Sequence, residues 1–325
     1  MDDEILSSLP YPEAKVLSEF FMLDKRLGQI ANGKEAWLRH ERSGRIHGRI
    51  HANGAHTGRM THSNPNLAQV PGCIDKKTGD AMPYGPESRD CFEADGRYVL
   101  VGCDADALEL RDLAGYMAIY DGGDYIETVL RGNKSVGTDM HTINARFMSS
   151  TRDAAKIFFY AMIYGSGDHN LGTVLGIVGR AASTAGKAAR AALMKGVPAL
   201  GKLFKAVEKK FRQQKFITGL DGRPLSAKAM NAILNTLLQS AGAIQMKRGL
   251  VILYDSLEAK GWRFGDEYAI ALLVHDELQA SVRPHLADEY GETASEAIRA
   301  AGRFYNFRCP LDAQYNKGAT WRETH

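Results

Sequence analysis

Two apolar runs far apart in the chain, Tyr98-Val99-Leu100-Val101 and Tyr268-Ala269-Ile270-Ala271-Leu272-Leu273-Val274, constrain the fold most. Each is short, continuous and bounded by turn signals, the pattern of a buried strand. Leu278 to Val282 alternates as a hairpin partner of the second run would. From about 108 to 260 the pattern is mostly helical, broken at Gly122-Gly123, at Gly165 to Gly167 and at the turn Gly219-Leu220-Asp221-Gly222. Strand blocks flanking a helical insertion predict an α+β fold whose outer blocks pair into one sheet. Ahead of them, residues 13 to 31 carry an apolar stripe (Val16, Leu17, Phe20, Phe21, Leu23, Leu27, Ile30) that predicts one amphipathic helix ending near Asn32-Gly33. The stretch from about 36 to 104 reads as sheet and loops.

With 325 residues, 44% of them hydrophobic, the chain can bury a large core, and its length suggests about two domains. No apolar stretch approaches the roughly 20 residues needed to span a bilayer. The opening MDDEILSSLPYPEAK lacks a basic region followed by an apolar run, so no signal peptide is expected and the cytoplasm is the default. Cys73, Cys91, Cys103 and Cys309 are scattered without a C-x-x-C pair, as incidental thiols in a reducing compartment would be. Net charge is only +3, but Arg180 to Lys215 holds ten Lys or Arg against one acid, Glu208. Such an arm suits either a solvated helical face or a polyanion.

Both predicted strands run into acids: Cys103-Asp104-Ala105-Asp106 after the first, His275-Asp276-Glu277 after the second. Aspartates are common in turns, so either acid alone carries little. If the strands are neighbours, Asp104 and Asp276 converge at a rim that is rigid yet open to solvent. Paired carboxylates with open positions suit Mg²⁺, which is often completed by substrate phosphates. Two such ions about 3.5 to 4 Å apart serve in-line phosphoryl transfer.

Residues 151 to 168, TRDAAKIFFYAMIYGSGD, place Arg152, Lys156, Tyr160 and Tyr164 four apart, one slowly drifting stripe on a helix, while Phe158, Phe159, Met162 and Ile163 can face a core. Two cations followed by two aromatics match a nucleoside triphosphate laid along the helix, with phosphates on Arg152 and Lys156.

Asp104 to Arg111 resembles the D-x-S-x-x-E-L-R motif A of family A DNA polymerases. Arg152 to Gly165 resembles motif B, R-x-x-x-K-x-x-x-[FY]-x-x-x-Y-G, and His275-Asp276-Glu277 matches motif C. The resemblance runs over nearly the whole chain, through TGRMTHSNPNLAQVPG, LDGRPLSAKAMNAILNTLLQSAGA and FYNFRCPLDAQYNKGATWRETH, and is nearest the replicative enzymes of small tailed phages. It implies the polymerase right-hand fold: an antiparallel palm sheet with a mostly helical fingers subdomain and the thumb largely missing. The expected division is 1–38 thumb remnant, 39–117 palm, 118–236 fingers and 237–325 palm.

By that resemblance Asp104 and Asp276, with the Ala105 carbonyl, hold two Mg²⁺ ions, for which Mn²⁺ can substitute. Glu277 lies near the primer end. Glu109 packs under the sugar and excludes a 2′-OH, the group that separates RNA from DNA precursors. Arg152, Lys156 and His141 bind the triphosphate, Lys156 also counting among the catalytic groups. Tyr160 stands where the family has Phe or Tyr, and as Tyr implies poor discrimination against dideoxynucleotides. Tyr164 stacks by the template base, and Gln239 and His275 contact the primer-template near the nascent pair. Arg59, Asn66 and Gln69 track the minor groove, where reading is nearly sequence-blind. His47, His51, His56 and His62, crowded in the same stretch, are expected to be incidental or DNA-facing rather than zinc ligands.

Two departures stand out. Asp106 occupies a position that is usually neutral. Family members normally carry an exonuclease or exonuclease-like domain and a full thumb ahead of this region, which leads to the expectation of no proofreading and no thioredoxin site, and of either a separate chain carrying thumb and exonuclease or a truncated copy. The implied partners are primer-template DNA and deoxynucleotides, in host cytoplasm if the chain is phage-encoded. A single-subunit RNA polymerase and a catalytically idle DNA-binding or assembly subunit remain as alternatives.

Overall fold

The computed structural model describes residue 6 and residues 9–75, 79–227 and 229–325. The chain forms two compact units, Met1–Gly54 with Met60–Phe92, and Ala55–Arg59 with Glu93–His325.

The first unit opens on α1 (Pro12–Leu27), which continues as a π-helical turn, Gly28–Asn32. Proline in its first turn suits the helix start, and Glu13 near the start with Lys25 and Arg26 at the end suits the helix dipole. The expected helix is present, but its apolar stripe is uncovered: Val16 is 67% exposed and Phe20 59%, and Ala14 is the helix's buried residue. A short helix α2 (Trp37–His40) buries Trp37, whose ring meets Phe92 edge-on at 5.1 Å. Two small ribbons follow, β1 (Glu41–Arg42) with β2 (Arg45–Ile46) and β3 (Arg49–His51) with β4 (Thr61–Ser63). Helix α3 (Gly85–Asp90) is anchored by Arg89, whose Nε donates to the Pro71 carbonyl at 3.1 Å.

The second unit begins at β5 (Val99–Ala105) and runs through α4 (Leu108–Asp121), α5 (Asp124–Arg131), α6 (Met140–Met148), α7 (Arg152–Ile163), α8 (Asp168–Val174), α9 (Ala181–Gly196) and α10 (Pro198–Gln214). The turn at 219–222 closes a hairpin of β6 (Ile217–Thr218) and β7 (Pro224–Leu225). Then come the long helix α11 (Ile233–Ala259), the hairpin β8 (Tyr268–Val274) and β9 (Glu277–Val282), α12 (Ala287–Phe304) and β10 (Ala313–Gly318). Four strands form one antiparallel sheet in the order β10-β5-β9-β8.

The outer strand blocks do pair, with two differences from expectation. β5 extends to Ala105, so Asp104 lies inside the strand, where side-chain alternation turns it outward while Cys103 and Ala105 are buried. The neighbour of β5 is β9, the second arm of the hairpin, and β8 is the outer strand. Apolar content alone cannot tell which arm is central.

Two cores sit on either side of α4. One packs Val101, Cys103, Leu278, Ala280 and Val282 of the sheet against Leu253, Leu257, Tyr290, Ala294 and Ile298 of α11 and α12. The other is helical, built on Leu113, Met117, Phe158, Phe159, Met162, Leu193, Leu200 and Leu237. Phe158 and Phe159 are fully buried, each worth ~1.5–3 kcal/mol relative to exposure. α11 contributes to both cores, which is why it is apolar nearly all round. Among the described residues no helix is long and apolar enough to cross a membrane.

Candidate active site

At the rim of the sheet the backbone brings the two predicted carboxylates together. The β5–β9 register sets Asp104 opposite Glu277, and the Ala105 N–H donates to the Asp276 carbonyl at 3.0 Å. A two-residue turn, His275-Asp276, joins β8 to β9, with His275 at φ +56°. Positive φ in such a turn matches the right-handed twist of the strands it connects. Asp104 is exposed and Asp276 half-buried. On the other side of Asp104 in register stands Gln314 of β10. Its Nε2 donates to Asp106 Oδ2 at 3.1 Å, so the extra carboxylate of motif A is engaged by β10.

Glu277 is placed inside, 6% exposed. Its carboxylate accepts from Trp321 Nε1 at 2.5 Å and Gln279 Nε2 at 2.7 Å and lies 3.1 Å from His325 Nδ1. Burial opposes its charge, but His325, Gln279 and Trp321 outweigh that and hold its pKa below the ordinary value. His275 is exposed, and desolvation together with the Arg59 guanidinium holds it below its ordinary value.

Helix α7 starts where Thr151 caps it, the Oγ1 accepting from the Ala154 N–H at 3.3 Å. Arg152, Lys156 and Tyr160 are half-buried along one face, and Phe158, Phe159, Met162 and Ile163 are buried as the periodicity predicts. Arg152 donates through Nε to both oxygens of Asp139, at 3.1 and 3.3 Å, and its Nη2 lies 3.0 Å from Oδ1. Asp139 caps α6, accepting from the N–H groups of His141 and Thr142. Burial opposes its charge, but Thr142 and Arg152 outweigh it and bring the carboxyl down to about 2. His141, 7% exposed, stacks obliquely on Tyr160 at 5.8 Å. Burial, then Arg152 and Lys156, push it down to about 4 against the pull of Asp139. The three predicted phosphate ligands thus form one electropositive cluster around a neutral imidazole.

Glu109, in the first turn of α4, joins this cluster to Arg59. Its Oε1 accepts from Arg59 Nη2 at 3.1 Å and its Oε2 from the Tyr164 hydroxyl at 2.5 Å. Tyr164 in turn lies 6.2 Å from Tyr160, ring to ring. Burial and Glu109 push both phenols up, Tyr160 to about 12. Gly165, at φ +87°, follows Tyr164, and a Cβ there would stand 2.5 Å from the Asn231 carbonyl, so only glycine fits. Three residues with separate predicted tasks, Arg59, Glu109 and Tyr164, are therefore one hydrogen-bonded group. Lys247 supports it, its Nζ donating to the Gly58 carbonyl at 2.6 Å.

Asn66 and Gln69 belong to the first unit and Arg59 to the second. Gln239 is half-buried on α11. His47, His51 and His56 are exposed and His62 partly so. Among the described residues no group of three His, Cys, Asp or Glu is placed to hold a metal ion. On α10 the basic arm shows an exposed stripe, Lys202, Lys205, Lys209 and Arg212, while Arg190 on α9 is tied to Asp168 at 2.9 Å.

The sequence profile of DNA polymerase family A matches residues 1–323. The chain belongs to DNA polymerase family A. Within the family it is similar to the DNA-directed DNA polymerases of Enterobacteria phage T3 and Escherichia phage T7, each 36% identical over all of this chain and 48% of the relative. It is also similar to the thermostable DNA polymerase I of Thermus aquaticus, 28% identical over 87% of this chain and 33% of the relative. The chain spans about half the length of the phage relatives it matches. The fold matches that of the POL domain of Pol1 from M. smegmatis, solved in complex with DNA primer-template and dNTP. That match has a TM-score of 0.77 at 20% identity and covers all of this chain and 56% of that one.

Sequence reasoning on this family A chain missed Asp139, Asn231, Lys247 and Gln314. Each acts by a contact from another element, and only the D-x-H spacing of Asp139 and His141 hinted at a helix cap.

Proposed function

We propose that this chain carries the nucleotidyl-transfer site of a template-directed DNA polymerase of the phage replicative type. The observation that carries the reading is the Ala105–Asp276 backbone hydrogen bond, which joins the motif A and motif C aspartates at one rim. Their hard oxygen donors, one exposed and one half-buried, fit Mg²⁺ ions completed by substrate phosphates. Asp104, Asp276 and the Ala105 carbonyl would hold two Mg²⁺, or Mn²⁺ in substitution. When bound, such a pair lowers the barrier for attack of the primer 3′-OH and for departure of pyrophosphate.

The side chains have separable tasks. Arg152 exchanges Asp139 for triphosphate oxygens, a fork already in bidentate geometry. Lys156 and His141 complete the cradle, and an arriving polyanion favours protonation of His141. Glu109 stands under the sugar and excludes a 2′-OH. Tyr160 lies along the sugar and base, and Tyr164 leaves Glu109 to stack by the template base. Arg59, Asn66 and Gln69 follow the minor groove, and Gln239 and His275 contact the primer-template near the nascent pair. Glu277 buttresses the primer end through its Trp321 bond.

In this reading 39–117 and 237–325 are palm, 118–236 fingers and 1–38 a thumb remnant. A thumb and an exonuclease, carried elsewhere on the polypeptide or on a separate chain, would complete the enzyme in the host cytoplasm. The exposed apolar face of α1 supports that assignment.

The test is primer extension with Mg²⁺ and four deoxynucleotides, beside Asp104→Asn. Metal-dependent extension abolished in the variant is expected. Equal extension by both proteins would refute the site, and folded protein inactive even with the thumb-bearing chain would favour an idle subunit. Ribonucleotides used as readily as deoxynucleotides would favour an RNA polymerase, and high processivity of the chain alone would sink the split arrangement.

A further inference from the structure

We infer that Asp112, paired with Gln245 of α11, is a positioning residue that fixes the turn of α4 from which Glu109 reaches Arg59 and Tyr164. The inference rests on the reading of Glu109 as the sugar-sensing group.

Asp112 is fully buried and Gln245 is 1% exposed. Both carboxyl oxygens of Asp112 and both amide atoms of Gln245 are cut off from solvent and have no hydrogen-bond partner at bonding distance. Gln245 stands close enough to act on the carboxyl. The close approach of the two helices is built in at Gly242, one turn before Gln245. A Cβ there would lie 3.1 Å from Leu108 Cδ2 and 3.4 Å from Asp112 Oδ2.

Burial raises Asp112 well above the ordinary carboxylate range, Gln245 and Arg59 pull it down, and Glu109 pushes it further up. Burial therefore favours the protonated form of this side chain. A neutral carboxyl has one donor and an acceptor, the complement of a primary amide, so the two can bond reciprocally. An apolar pair would serve the helix interface equally well or better, because buried polar pairs contribute little net stability. What a directional pair adds is a fixed relation between α4 and α11.

Asp112 is three residues after Glu109, so the two lie on neighbouring parts of one helix face. A shift of α4 along α11 would break the Asp112–Gln245 pair and move Glu109 away from Arg59 and Tyr164 together. When protonated, Asp112 also leaves Glu109 as the anion those two donors meet.

The experiment uses the full chain with ¹³Cζ-tyrosine, so that the Tyr164 signal reports its bond to Glu109, alongside incorporation of ribo- and deoxynucleotides. Four proteins are compared with wild type: Asp112→Asn, Asp112→Leu, the double variant Asp112→Leu/Gln245→Leu, and Glu109→Gln as reference. The Asn variant should keep the wild-type Tyr164 signal and sugar discrimination. The double variant should stay folded yet shift the Tyr164 signal toward that of Glu109→Gln. Its sugar discrimination should fall about tenfold, in KM more than kcat, the scale of one hydrogen bond to a charged group. A folded double variant with an unmoved Tyr164 signal overturns the inference. If Glu109→Gln discriminates sugars normally, the sugar reading fails, and the Tyr164 signal alone decides the positioning role.

Discussion

Charge state at single residues gives the sharpest tests. Asp112 has a raised pKa in the folded chain, so the folded state holds a proton that the unfolded state releases, and stability falls as pH rises above roughly 4. Thermal unfolding of Asp112→Asn should lack that decline, so its advantage over wild type should grow as pH rises from about 4. His141 is the opposite case for a base. Its folded pKa, about 4, lies below the ordinary 6.5, so its share of stability is lost as pH falls through that window. Triphosphate binding should then take up a proton near pH 6, seen in calorimetry as an enthalpy that changes with buffer, and His141→Gln should abolish the uptake. At Tyr160, substitution by Phe should raise discrimination against dideoxynucleotides, measured by competitive chain termination. The motif residues were legible as chemistry because their spacing is local. Asp139, Lys247 and Gln314 were not, since an Asp beside Arg152 or a Lys beside Gly58 exists only after distant segments meet.

Caps and turns decide how well the elements hold those groups. Asp139→Ala should remove the cap of α6 and release Arg152 at once. Stability should drop by about 1 kcal/mol while triphosphate binding by Arg152 loses its competitor, so KM falls as Tm falls. Opposite signs in the two measurements separate this from general damage. Gly165→Ala should cost ~1–3 kcal/mol through its positive φ and the Asn231 carbonyl, and should disorder Tyr164 first. Helix α7 was readable in full because its apolar period and Thr151 cap agree. The order of the sheet was not, since β8 and β9 are both apolar and pairing depends on what packs over them. The stripe of α1 was read as the apolar side of an amphipathic helix, and that side is exposed, because periodicity reports a face and not its cover.

At the scale of the whole molecule, charge is separated: one exposed basic stripe on α10 in a chain whose acids otherwise outnumber its bases. If a single-stranded template follows Lys202, Lys205, Lys209 and Arg212, replacing them with serine should lower the salt dependence of binding by about 0.7 per lost contact. Unchanged salt dependence would mean a merely solvated face. The sheet raises a different matter. β5 pairs on one side with Glu277–Val282 and on the other with Ala313–Gly318, so Asp104 gains its neighbouring strands only after the helical insertion has been made. A ribosome translating this message therefore carries an unpaired, apolar β5 through the synthesis of the entire helical insertion. Stalling before β9 is made would leave the helices of the insertion beside an unpaired β5, with no aspartate pair.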